Sequence, residues 1–375
     1  MTTDTLIPVL RPQLPDADRL LPYLRRIDDT RVYSNWGPLA LELEERLARH
    51  FALPPGAVVS AGSGTSALVG AILASAGRAG EERRLAIVPA FTFVATAAAA
   101  ECCGYDVVLA DVDSETWMLD ADQVASRSDL NRVGVVVPVA PFGRPVPQQP
   151  WLRFRDATGI PVAIDGAASF ELATAAADGA LGPLPMALSF HATKSFATGE
   201  GGGVAATDVD LVERAGQSLN LGMSGSRDSA TPSVNGKLSE YHAAVGLAEL
   251  DGWEWKREAM ESVIGLYRET FDRLGVGDRL VLAPDIASVY VLFQADSEHE
   301  AREVAASLTR AEVSYRFWYG AGLQAQTVYA SRPHEPLPAT ETLAVRLLGL
   351  PFAVDLTAAE VERIAGAVLQ GLETR

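Results

Sequence analysis

Between residues 57 and 206 the apolar positions fall into short runs of small and β-branched side chains, separated by stretches with helical spacing. Seven runs stand out: Ala57–Ser60, Leu85–Pro89, Asp106–Asp111, Val133–Val139, Pro161–Asp165, Met186–Phe190 and Gly203–Thr207. They are apolar almost throughout rather than alternating with polar residues, which is the pattern of strands covered on both faces. Their alternation with helices predicts an α/β fold built on a mostly parallel seven-stranded sheet with helices on both faces. Leu39, Leu43 and Leu47 lie on one helical stripe after Gly37-Pro38, a helix-start signal. The segment ahead of them, roughly the first 35 residues, is expected to be an arm or entry helix.

Beyond the sheet, residues from Ser239 to about Leu274 read as one long connecting helical region with an apolar stripe. A smaller α+β segment follows, with strands expected at Ser288–Phe293 and Val313–Trp318. The final helix carries a capping box, Thr357 with Glu360, ahead of Val361, Ile364, Val368 and Leu372 on one face. The economical division is residues 1-250 as an arm plus large domain and 251-375 as the connector and small domain.

A chain of 375 residues, 48% hydrophobic, is long enough for two such cores. The formal charge of -17 repels nucleic acid and anionic membrane surfaces, so neither is expected as a partner, and an anionic ligand must be met by local donors. The start of the chain shows no basic leader before an apolar core, and no stretch suits a bilayer span, so a cytoplasmic location is expected. Cys102 and Cys103 are adjacent and the five histidines are scattered, which predicts neither a disulfide framework nor a metal site.

Candidate chemistry centres on Ser189–Gly203, S-F-H-A-T-K-S-F-A-T-G-E-G-G-G. Lys194 there is held between an apolar strand and a glycine-rich turn, where a partly desolvated amine suits bonding to a carbonyl cofactor such as pyridoxal 5'-phosphate. Ser63-Gly64-Thr65-Ser66 places small residues and hydroxyls at a helix start, which reads equally as a phosphate cradle or a simple N-cap. Asp165 closes an apolar strand at the end where ligands of open α/β sheets bind. It reads either as partner to a pyridine nitrogen or as an N-cap. In P-A-F-T-F-V-A-T, Phe93 is the aromatic expected over that sheet end.

In this order the motifs resemble the DegT/StrS-like nucleotide-sugar aminotransferases, a family of fold-type I pyridoxal phosphate enzymes, over nearly the whole chain. The likeness extends to Ile7-Pro8, Phe142-Gly143, N-G-K-L-S-E, A-A-V-G-L-A-E-L and the late L-G-L-P. It implies transamination from an amino acid, L-glutamate by resemblance, to a ketone on a nucleotide-linked deoxysugar. It further implies that Lys194 forms the internal aldimine and shuttles a proton. Asp165 would bind the pyridinium, Phe93 would stack on the ring, and Gly64 and Thr65 with Ser189 would hold the phosphate. Asn235 would reach the cofactor of a neighbouring subunit, making a homodimer with shared sites, and Lys237 would lie near the substrate phosphates. Tyr33, Trp36, Arg316 and Tyr319 occupy positions of the family's substrate contacts. His191 reads as a packing or phosphate-side residue.

The chain departs from the family pattern at Ala168, where a glutamine or histidine is usual, and at Leu221, Ser233 and Gln324. These leave room for a second acceptor class, a cyclitol or other secondary-metabolite ketone. A non-catalytic pyridoxal phosphate-binding regulator is the reading from another class, and the intact Lys194 and Asp165 weigh against it.

Overall fold

The computed structural model describes residues 6–173, 180–332 and 334–373. Seven strands form the large sheet: β1 (Val58–Ala61), β2 (Leu85–Pro89), β3 (Asp106–Ala110), β4 (Val133–Val136), β5 (Ile164–Asp165), β6 (Met186–Ser189) and β7 (Gly202–Ala205). Ladders run β3-β2-β4 and β5-β6-β7-β1. Parallel bridges Val136 to Val162 and Val139 to Asp165 join the two sets. The continuous order is therefore β3-β2-β4-β5-β6-β7-β1, parallel except for β7, which runs antiparallel to both neighbours. The junction is irregular because Pro138 and Pro161 offer carbonyls but no N–H: Asp165 donates to the Pro138 carbonyl at 2.8 Å and Val136 to the Pro161 carbonyl at 3.0 Å.

The helices are α1 (Ala17–Thr30), α2 (Pro38–His50), α3 (Gly64–Ala76), α4 (Val94–Cys102), α5 (Ala121–Ala125), α6 (Gln148–Thr158), α7 (Val209–Leu219), α8 (Glu240–Asp251), α9 (Trp253–Arg273), α10 (Glu298–Arg310), α11 (Pro338–Arg346) and α12 (Ala358–Glu373). Alternate residues of β2 enter different cores. Leu85 and Ile87 belong to one buried cluster, which also takes in residues of α2, α6 and α8, whereas Ala86 and Val88 belong to another, with residues of α3, α4 and α7. Both faces of the sheet are thus covered, which is why its strands carry no polar alternation. Ala95–Ala100 lies within α4, where small side chains let the helix sit close to β2 and β3.

A second, antiparallel sheet is ordered β10-β9-β8, from β8 (Leu280–Val281), β9 (Val291–Gln294) and β10 (Leu347–Leu350). Helices α10 and α12 pack on each other over it, and the Thr357–Glu360 box caps α12 with reciprocal hydrogen bonds of 2.8 and 3.2 Å. The chain start joins this part of the molecule, since Ile7 bridges to Val313 and Leu10 to Phe352.

Three sequence expectations need correction. The stretch Val313–Trp318 is not a strand; only Val313 and Arg316 bridge, to Ile7 and Gly349, and the aromatic residues after them turn toward the large sheet. In Ser288–Phe293 the strand begins only at Val291, because the Tyr290 N–H closes a turn onto the Ala287 carbonyl. The connector from Ser239 is two helices, broken at Gly252, where the Arg19 guanidinium reaches in and donates to the Ala248 carbonyl at 3.0 Å.

Candidate active site

The carboxyl ends of β2, β4, β5 and β6 converge on a cavity of about 460 Å³, the place where open α/β sheets bind ligands. Ser63, Gly64, Thr65, Phe93, Asp165, Ser189, Lys194, Arg316 and Tyr319 all line it.

The floor of one end is the first turn of α3. The Ser63 hydroxyl accepts from the Ser66 N–H at 3.0 Å, so this serine is the N-cap. The N–H groups of Gly64 and Thr65 find no acceptor among the described residues, which leaves two donors at a helix N-terminus aimed at the cavity. Gly64 is dictated by closeness: a Cβ there would lie 2.6 Å from that of Ser189, at the end of β6. Gly202, opening β7, is equally tight, since its Cβ would meet the Leu188 carbonyl at 2.6 Å and the Ser63 carbonyl at 2.7 Å. Turn, β6 and β7 meet here because neither glycine carries a side chain.

Asp165 is buried at 7% exposure. Its carboxylate accepts from the Thr96 hydroxyl at 2.7 Å and from the Ala167 N–H at 3.0 Å. Burial pushes its proton affinity above the ordinary value, opposed by these two hydrogen bonds and by the charge of Lys194. A carboxylate so placed suits a cationic ring nitrogen. Phe93, the residue that opens α4 and lines the cavity, is 61% exposed, which suits stacking on a bound ring.

Lys194 donates from Nζ to the Tyr290 hydroxyl at 3.0 Å. An aromatic wall continues from there: Phe142 stacks on Tyr319 with centroids 4.7 Å apart, and Tyr290 stands edge-on to Phe142 and Trp318 at 5.4 and 5.3 Å. Phe142 takes a positive φ of 55°, and its N–H donates to the Tyr319 hydroxyl at 3.3 Å. This strained residue is held by the packing around it. Arg316 lies over the Trp318 ring at 5.1 Å and has no carboxylate partner among the described residues. His191 also lines the cavity, with Nδ1 2.8 Å from the Thr193 hydroxyl and Nε2 3.7 Å from Glu200.

Four expected site residues lie outside this cavity. Asn235 is exposed and accepts from Lys237 Nζ at 2.7 Å. Their loop backs onto the phosphate-end turn, where the Gly62 N–H donates to the Gly236 carbonyl at 2.7 Å. Tyr33 stacks on Tyr241 at 6.2 Å, and the Trp36 indole donates to Glu44 at 2.7 Å. Among the departures, Ala168 lines the cavity, whereas Gln324 folds back to donate to the Ala321 carbonyl at 2.9 Å.

Reading the sequence missed Thr96, Tyr290 and Trp318. Thr96 had a weak signal, a hydroxyl in the helical turn after Phe93. Tyr290 and Trp318 had none, being aromatics in segments that resemble ordinary core.

A model of the DegT/DnrJ/EryC1/StrS aminotransferase family matches residues 16–369. This chain belongs to that family. Protein Rv3402c of Mycobacterium tuberculosis is 30% identical, the match covering 96% of this chain and 89% of that one. GDP-perosamine synthase of Caulobacter vibrioides is 28% identical, over 98% of both chains. The crystal structure of DesI in the presence of its TDP-sugar product superposes with a TM-score of 0.86 at 30% identity, covering 99% of this chain and 94% of that one. The protein is an aminotransferase of the fold-type I class with pyridoxal phosphate as its cofactor. The cavity fits that cofactor: free N–H groups and a serine at one end, a buried carboxylate beneath, an open aromatic face and an amine at the other. Among the described residues no helix is long and apolar enough to cross a membrane, and no His, Cys, Asp and Glu cluster suits a metal ion.

Proposed function

We propose that this aminotransferase moves an amino group from an amino acid, L-glutamate by resemblance, to a keto carbon of a nucleotide-linked deoxysugar. The observation that carries the reading is the meeting of Lys194, Asp165, Phe93 and the first turn of α3 in one cavity. When bound, the cofactor supplies an aldehyde for Lys194 to condense with and a ring that takes up the electron pair released at the amino acid Cα. Asp165 keeps the ring nitrogen protonated, Phe93 covers one face, and Gly64, Thr65 and Ser189 bind the phosphate. Lys194, once released, moves the proton at Cα.

The substrate end is bounded by Arg316 and Tyr319, with Arg316 placed to receive an anionic group. Asn235, Lys237, Tyr33 and Trp36 serve, on this reading, the cavity of a second copy in a homodimer. The exposed Asn235 on the loop that backs onto the phosphate-end turn, and the exposed Tyr33 beside Tyr241, support it.

A second acceptor class, a cyclitol or related ketone, is favoured by one observation, the methyl group of Ala168 on the cavity wall. The test is incubation with L-glutamate and a panel of 3-keto and 4-keto nucleotide sugars alongside a cyclitol ketone, reading 2-oxoglutarate and the aminated product by mass spectrometry. Amination of a nucleotide sugar is expected. Turnover of the cyclitol alone would replace the sugar reading, and no turnover with any acceptor or donor would remove both.

A further inference from the structure

The Lys194 amine is held by a phenol, and the phenol is built into the structure more firmly than the lysine. Tyr290 is 7% exposed, standing between the rings of Phe142 and Trp318. Its backbone is fixed on both sides. The Tyr290 N–H donates to the Ala287 carbonyl at 3.0 Å, and the Ala287 N–H donates to the Phe142 carbonyl at 2.9 Å. The Ser288 N–H donates to Glu171 at 3.1 Å, and Glu171 also takes a hydrogen bond from Ser195, the neighbour of Lys194. One half-buried carboxylate thus ties together the two segments that carry the amine and the phenol, which are 96 residues apart in the chain.

Lys194 makes no ion pair with any carboxylate among the described residues, and its hydrogen bond to Tyr290 is the fixed point of its head group. A lysine side chain has many rotamers and loses their entropy when its head group is fixed. Asp165, in the same cavity, attracts its charge. A rigid neutral acceptor at Tyr290 holds the amine at one place without a second charge that would compete for the cofactor.

We propose that Tyr290 is a positioning residue for Lys194, holding Nζ at the attack position whenever the amine is free. The inference rests on the reading of Lys194 as the cofactor-bonding residue. Phenylalanine at the site keeps the ring packing and removes only the acceptor.

The experiment mixes apoprotein with pyridoxal 5'-phosphate and follows formation of the lysine–cofactor adduct by stopped-flow absorbance, for wild type, Tyr290→Phe and Lys194→Ala. With an unchanged melting temperature and unchanged final amplitude, Tyr290→Phe is expected to form the adduct roughly tenfold more slowly, the effect of one hydrogen bond to a charged group. A merely structural role would move the melting temperature and leave the rate alone. Should Tyr290→Phe not fold, Tyr290→Leu removes the acceptor without adding volume between the Phe142 and Trp318 rings and serves the same comparison. A rate equal to or above that of wild type overturns the inference and leaves the proposed function standing. Absence of an adduct in wild type, or its presence in Lys194→Ala, overturns the reading of Lys194 and this inference with it.

Discussion

At the scale of single residues, Asp165 carries the clearest energetic signature. Its folded-state proton affinity is raised mainly by burial, above an ordinary value of 3.8. The native state therefore holds the proton more tightly than the unfolded chain, and the contribution of this group to apoprotein stability falls as pH rises from about 4 through the raised value. Asp165→Asn lacks that dependence. The stability difference between wild type and variant, from urea melts of the apoproteins across pH 4 to 8, is expected to shift toward the variant as pH rises. The same variant is expected to lose about a hundredfold or more in amino transfer, since a neutral amide cannot keep the ring nitrogen protonated. Thr96→Val removes one of the two hydrogen bonds to that carboxylate and is expected to weaken cofactor binding about tenfold by equilibrium titration.

Among the elements, α3 and the end of β6 are locked together by a missing side chain. Gly64→Ala forces a methyl group against Ser189, with an expected cost of about 1–3 kcal/mol in stability and a matching loss of cofactor affinity, read by thermal melting with and without cofactor. The elements most legible in the sequence are those whose environment is uniform along them. The strands of the large sheet are covered on both faces, so continuous apolar runs disclose them. The Thr357–Glu360 box is a local device, so its residues spell it out. Phe93 and Lys194 were legible as cavity residues because each follows a strand end by a few residues, and Asp165 because it is itself the last residue of its strand. The segment Val313–Trp318 was misread because aromatic and β-branched residues suit a strand as well as a cavity wall, and only the position of Tyr319 against Phe142 distinguishes them. Tyr290 was invisible because its partner lies in another part of the chain and their meeting depends on the packing of the small sheet against the large one.

For the whole molecule, the proposed homodimer, in which Asn235 and Lys237 serve the cavity of a second copy rather than the one their own chain forms, has a test of its own. Co-refolding Lys194→Ala with Asn235→Ala places one intact site in each mixed dimer. Activity is expected to recover to about a quarter of wild type, from half the dimers being mixed and one site in each being complete. Mixtures no more active than their separate components would mean that Asn235 serves its own chain. The central claim, amino transfer through Lys194, is tested most directly by the visible absorption spectrum of the purified protein with pyridoxal 5'-phosphate, before and after L-glutamate, beside Lys194→Ala. The account predicts a band that glutamate bleaches and that the variant lacks. A band that no amino donor alters, or one that persists in Lys194→Ala, would contradict it.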